Sequence, residues 1–147
     1  TVKISSGYVV GGNGSAADIV GVLNGIFFNA ATTLKPTFSN FYKATITPAN
    51  SEDTTAFVID DPFQQYVVGA DAATGVATFL ETYDMNTSAG SDTTGKSSST
   101  LDIATTSANG KQFRMLRSAE DPENEDATAA RHSVVVVSNL NSFNGHN

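Results

Sequence analysis

The side chains able to do chemistry in this 147-residue chain are few, and their spacing decides how far each can be taken. No cysteine is present, which removes thiol nucleophiles, thiolate zinc sites and disulfide frameworks together. A serine or threonine nucleophile needs a histidine base, and the chain offers His132 and His146. His146 is penultimate. His132 opens the apolar run Val134 to Val137 beside Arg131, with no Gly-x-Ser-x-Gly elbow to serve. It is read as a solvent-facing histidine at a strand end, and no catalytic residue is assigned.

Carboxylates pair at Asp60-Asp61 and crowd in Glu120, Asp121, Glu123, Glu125 and Asp126, a composition that raises glycosidase-type acid/base work or a calcium site. Asp60-Asp61-Pro62 lies between two apolar runs and has the chemistry of a turn, in which Asp bonds its own backbone and Pro fixes φ. The acidic run lacks the alternating ligands and central Gly of an EF-hand loop, so it is read as solvated and no metal is assigned. Gly12-Asn13-Gly14-Ser15-Ala16-Ala17 carries the letters G-x-G-x-x-A of a dinucleotide loop. That loop needs an acidic residue about 20 positions later for the ribose. None occurs between Asp18 and Glu52, so the segment is read as a turn and no cofactor is assigned. The sequons Asn13-Gly14-Ser15 and Asn86-Thr87-Ser88 are expected by chance in a chain this rich in Ser and Thr.

Eight Lys and Arg against fifteen Asp and Glu give a net charge of -7, the wrong sign for tracking a phosphate backbone, so no nucleic-acid partner is expected. No apolar run approaches the ~18 residues of a membrane helix, so no membrane span is expected. The amino end has no basic region followed by an apolar core, and no secretory signal is read there, although a processed chain looks the same.

The elements that must position any site are short apolar runs rich in β-branched and aromatic residues, separated by Gly, Asn, Asp, Ser and Thr. This predicts a single all-β domain over 1–147, a β-barrel or β-sandwich, jelly-roll-like architecture included, with eight to ten short strands and long loops. Strands are expected at Val2 to Ile4, Tyr8 to Val10, Ile19 to Phe28, Tyr42 to Ile46 and Ala56 to Ile59. Five more are expected at Gln64 to Val68, Val76 to Phe79, Leu101 to Thr105, Gln112 to Leu116 and Ser133 to Asn139. Asn109-Gly110 predicts a type I′ hairpin between two of them, whereas Asn24-Gly25 fits either a hairpin or a glycine bulge in one long strand. Asp121 as cap and Pro122 at the first helical position permit one short helix through Ala130.

Thr87 to Thr100 holds nine Ser or Thr in fourteen residues and nothing apolar larger than Ala89, so it cannot build core. It is read as a surface arm that orders against a partner or as a spacer. Phe38, Phe41 and Tyr42, with Phe27, Phe28, Phe57 and Phe63 nearby in sequence, carry the largest apolar payload. Most of it is expected in the core. Phe38 and Phe41, in a polar connection after Lys35-Pro36-Thr37, are open to display at an interface.

Several segments, taken in order, resemble one family. Gly21-Val22-Leu23-Asn24-Gly25 is similar to a Gly-Val-aromatic-x-Gly strand, and Lys35-Pro36-Thr37-Phe38-Ser39-Asn40-Phe41-Tyr42 to a Pro-x-aromatic-Ser segment ending in an aromatic pair. Ala56-Phe57-Val58-Ile59-Asp60-Asp61-Pro62 resembles a strand closed by Asp-Asp-Pro, and Tyr66-Val67-Val68-Gly69-Ala70-Asp71 a strand ending in x-Ala-Asp. A Gly-Ser-Thr-rich loop over Asn86 to Ser97, then Leu101-Asp102, Asp121-Pro122-Glu123-Asn124-Glu125 and a terminal strand from Arg131 to Asn139 complete the set. In this order they resemble the decoration, or cement, proteins of tailed-bacteriophage capsids, small structural proteins encoded near the major capsid protein. Lys43-Ala44 stands where the family often has Pro-Ala.

The resemblance implies a non-enzymatic protein on the outer surface of the virion that bridges neighbouring subunits of the phage major capsid protein. A ligand of the assembled lattice stabilises it by mass action, and self-association as a trimer or dimer adds avidity. Phe38, Phe41, Tyr42 and Phe63 are the expected partner contacts, with Thr87 to Thr100 as the ordering arm. A carbohydrate-binding β-sandwich, stacking sugars on exposed aromatics, is the alternative, and the absence of Trp counts against it.

Overall fold

The β-branched and aromatic runs do form strands. The computed structural model describes residues 1–12, 14, 19–124 and 126–140, and within them ten strands make three antiparallel sheets. They are β1 (Val2–Ser5), β2 (Tyr8–Gly11), β3 (Val22–Asn29), β4 (Pro36–Ser39), β5 (Thr55–Ile59), β6 (Gln65–Gly69), β7 (Thr82–Asn86), β8 (Thr100–Ser107), β9 (Phe113–Ser118) and β10 (Ser133–Ser138). β1 and β2 form a hairpin, β4-β3-β5 a three-stranded sheet, and β6-β10-β9-β7-β8 a five-stranded sheet.

The five-stranded sheet carries the core on one face. Tyr83, Leu101, Phe113, Met115, Val134 and Val136 are buried there with Ile19 and Ala70, and Tyr66, Val68 and Ile103 pack against them. Alternation along each strand brings these side chains to the same side, and the Tyr66 and Phe113 rings meet edge to face at 6.4 Å. The sheet curls, and its edge strands β6 and β8 approach at one end. There a single parallel bridge joins Ala70 to Leu101, and the Asp71 carboxylate accepts the Ile103 N–H at 3.0 Å. Among the described residues β6 and β8 share no ladder beyond that bridge, so the sheet is not a closed barrel.

The two small sheets join each other through backbone contact. Val2 bridges Gly21 just before β3, and a Cβ on Gly21 would lie 2.1 Å from the Ile59 carbonyl oxygen at the end of β5. Only glycine lets these backbones approach so closely.

Several local expectations are corrected. The I′-type hairpin turn falls at Ser6-Gly7, both with positive φ, between Ser5 and its partner Tyr8. Gly110 has φ +96°, but β7 lies between β8 and β9, so Asn109-Gly110 belongs to a connection across β7 and not to a hairpin. Asn24-Gly25 is the bulge alternative: the β3–β5 register shifts between Leu23 and Gly25.

Tyr42 to Ile46 is not a strand, because the Ser39 hydroxyl bonds the Phe41 carbonyl at 2.6 Å and turns the chain out of the ladder after β4. Val76–Thr78 forms a 3-10 turn, closed by the Thr78 hydroxyl and N–H on the Gly75 carbonyl. The short helix that Asp121-Pro122 permits does not form, and turns take its place among the described residues. The side chains of Asp121 and Asp126 accept the N–H of Glu123 and Thr128, and Asn124 spends its side-chain amide on the Arg131 carbonyl. Glu125, the sequon residue Asn13, the segment 15–18 and His146 lie outside the described residues.

Candidate interaction surface

The three-stranded sheet presents a bare aromatic face. In register, Phe27 of β3 stands opposite Phe38 of β4 and Thr55 of β5, while Gly25, two residues back on the same face, stands opposite Phe57. Phe27, Phe38 and Phe57 are 39, 60 and 46% exposed, and the Phe38 and Phe57 rings lie 6.0 Å apart at 50°. Gly25 makes this arrangement possible: a Cβ there would stand 2.5 Å from Cζ of Phe38, so the ring lies across the bare backbone of β3 toward Phe57. Much of the aromatic payload expected in the core is thus on the surface. The signal was present in the alternation of Phe57 with Ala56 and Val58 and in the glycine opposite it.

The four expected contact residues separate. Phe38 belongs to this face. Phe63 is 81% exposed in the turn after β5, where its N–H is held by the Asp61 carboxylate at 2.8 Å, as the Asp-Asp-Pro composition predicts. Phe41 and Tyr42 lie on the other side of the sheet, lining a cleft with Ile26 and Ala56. Tyr42 is exposed at its edge. Phe41 is half-buried against its own chain: the Lys43 ammonium lies 5.2 Å from its ring centroid, and Gly95 covers it so closely that a Cβ would fall 2.4 Å from Cδ1. The Ser/Thr-rich segment 87–99 therefore folds back onto the body. Gly95, with φ +70°, bonds the Ser91 carbonyl, and the Lys96 carbonyl receives the Ser91 N–H.

His132 is fully buried, against the expectation of a solvent-facing side chain, and is held by Thr74 and the Ala129 carbonyl. Among the described residues no group of three or more His, Asp or Glu could hold a metal ion. Asp84 and Asp102 do stand opposite each other on β7 and β8, but the Lys111 ammonium sits 2.8 Å from Asp84 Oδ2 and supplies the positive charge. The Asp60-Asp61 turn acts on Tyr66, whose phenol titrates above its ordinary range because it is partly buried and then because Asp61 and Asp60 are near. Asp126 titrates below its ordinary range because the Thr128 hydroxyl and N–H bond the carboxylate.

No protein-family model, no curated protein and no solved structure matches this chain.

Proposed function

We propose that the protein is a non-enzymatic decoration protein of a tailed-phage capsid, binding the outer surface and cementing neighbouring major capsid protein subunits. The observation that carries the reading is the exposed aromatic trio Phe27, Phe38 and Phe57 on one sheet face. Aromatic side chains grouped on a rigid sheet are the anchors that dominate protein interfaces. The collinear resemblance of residues 19 to 139 to the cement proteins supports the choice of partner. The acidic surface suits a solvent-facing position better than a DNA-filled interior. Sugar stacking is less well served, since rings tilted by 50° do not make a flat platform.

The test is cosedimentation with shells assembled from the cognate major capsid protein, scoring stoichiometry and shell melting temperature. The reading expects saturable binding at a fixed ratio, a raised melting temperature, and at least about a tenfold loss of affinity for Phe38→Ala, equivalent to about 1.4 kcal/mol. Ser5→Ala, an exposed change on β1, is the control. Absence of binding, or equal loss in both variants, sinks the proposal and sends the wild-type protein to a glycan panel.

A further inference from the structure

We propose that the cleft behind the three-stranded sheet is a binding site for a small, neutral, apolar molecule, held under the segment 87–99. The cleft has a volume of about 630 Å³. Small-molecule sites occupy roughly 300–1,000 Å³ and combine apolar walls with a few polar groups. Here the walls are Val10 of the hairpin, Leu23 and Ile26 of β3, and Ala56 of β5, with the Phe41 and Tyr42 rings at one side. Asn40, Thr54 and Ser97 supply polar atoms. Thr1 also lines it, and among the described residues no Asp, Glu, Lys, Arg or His side chain does, so a charged ligand would find no charged side chain to pair with.

The chain itself favours a small molecule over a peptide. Gly95 and Ser97 from the 87–99 segment line the cleft, and Gly95 rests on Phe41 with no room for a single methyl group between them. A bound strand would have to displace that contact, whereas a compact ligand fits beneath it. An apolar cavity of about 150 Å³ already holds benzene, and this cleft is several times larger. The inference is independent of the capsid reading.

The experiment is a fluorescence titration with N-phenyl-1-naphthylamine, a neutral apolar probe. Wild type is expected to bind one probe per chain, saturably and with blue-shifted emission. Ala56→Phe, which fills the cleft, is expected to raise Kd at least tenfold. The triple change Phe27→Ser, Phe38→Ser, Phe57→Ser, on the opposite face, is expected to leave Kd within twofold. If circular dichroism shows that Ala56→Phe does not fold, Thr54→Phe fills the same cleft from the residue before β5. No binding to wild type, non-saturating adsorption, or binding lost in the triple variant and retained in the filled one overturns the proposal.

Discussion

His132 Nε2 lies 2.7 Å from Thr74 Oγ1, a bond between side chains 58 residues apart, and its Nδ1 lies 2.9 Å from the Ala129 carbonyl oxygen. A carbonyl only accepts, so Nδ1 carries the proton, and in the neutral ring Nε2 accepts from the Thr74 hydroxyl. Both partners come from loops, which makes the imidazole a buried tie between the connection after β6 and the one before β10. Removing it strands the buried Thr74 hydroxyl and opens a cavity in place of the ring. His132→Ala is expected to cost on the order of 3 kcal/mol and Thr74→Val about 1–2 kcal/mol, read by urea unfolding. The double variant is expected to lose less than the sum, because the two changes delete one shared bond.

Gly21 and Gly11 give a matched pair. A Cβ on Gly21 would collide with the Ile59 carbonyl, which is backbone and cannot swing aside, whereas a Cβ on Gly11 meets nothing within 4 Å. Gly21→Ala is expected to destabilise by about 2–4 kcal/mol and Gly11→Ala to stay within about 0.5 kcal/mol of wild type in the same urea titration. Equal effects would mean that β1, β3 and β5 do not meet at Gly21.

Lys111 neutralises Asp84, whose side chain is 9% exposed while that of Lys111 is 33% exposed. Losing the ammonium leaves a buried carboxylate facing Asp102 across the β7–β8 ladder. Because the pair is partly wet, the expected cost of Lys111→Met is about 1–3 kcal/mol, below that of breaking a fully buried pair. Asp84→Asn added to Lys111→Met is expected to restore part of the loss in chemical denaturation.

Two titrations have opposite signs. Asp126 is lowered by its bonds from Thr128, so its contribution is present above the ordinary carboxylate value of 3.8 and is lost as pH falls through the depressed value. Tyr66 is raised by burial and by Asp61 and Asp60, so its contribution is present below the ordinary phenol value of 10.0 and is lost as pH rises through the elevated one. Carbon NMR is expected to show the Asp126 carboxyl moving back toward 3.8 in Thr128→Val. Ultraviolet titration is expected to show the Tyr66 phenol ionising at lower pH in Asp61→Asn.

The β class and most strand positions were legible because Val135, Val136 and their like occur in runs that only a sheet buries well. β7 escaped notice because Thr82 and Asp84 read as polar, yet both are buried, one bonded to the Ser107 carbonyl and the other to Lys111. β4 escaped because Pro36 and Ser39 look like turn residues, although Pro36 occupies a strand start on a sheet edge, where a missing N–H is harmless. His132 read as exposed because its partners are supplied by Thr74 and Ala129, and the bond to Thr74 is long-range. The aromatic surface was half legible: Phe38 could be picked out from its polar connection, but its grouping with Phe27 and Phe57 depends on register across Gly25.

The strand order sets when this protein can fold during its own synthesis. β10 is made last of the ten strands, yet it lies between β6 and β9 and brings Val134 and Val136 into the core. Until Ser133–Ser138 clears the ribosomal tunnel, β6 and β9 have no partner between them and the core lacks its middle. The nascent chain therefore emerges with the hairpin β1–β2 and the sheet β4-β3-β5 free to form early, while the five-stranded sheet cannot be completed until β10 is available.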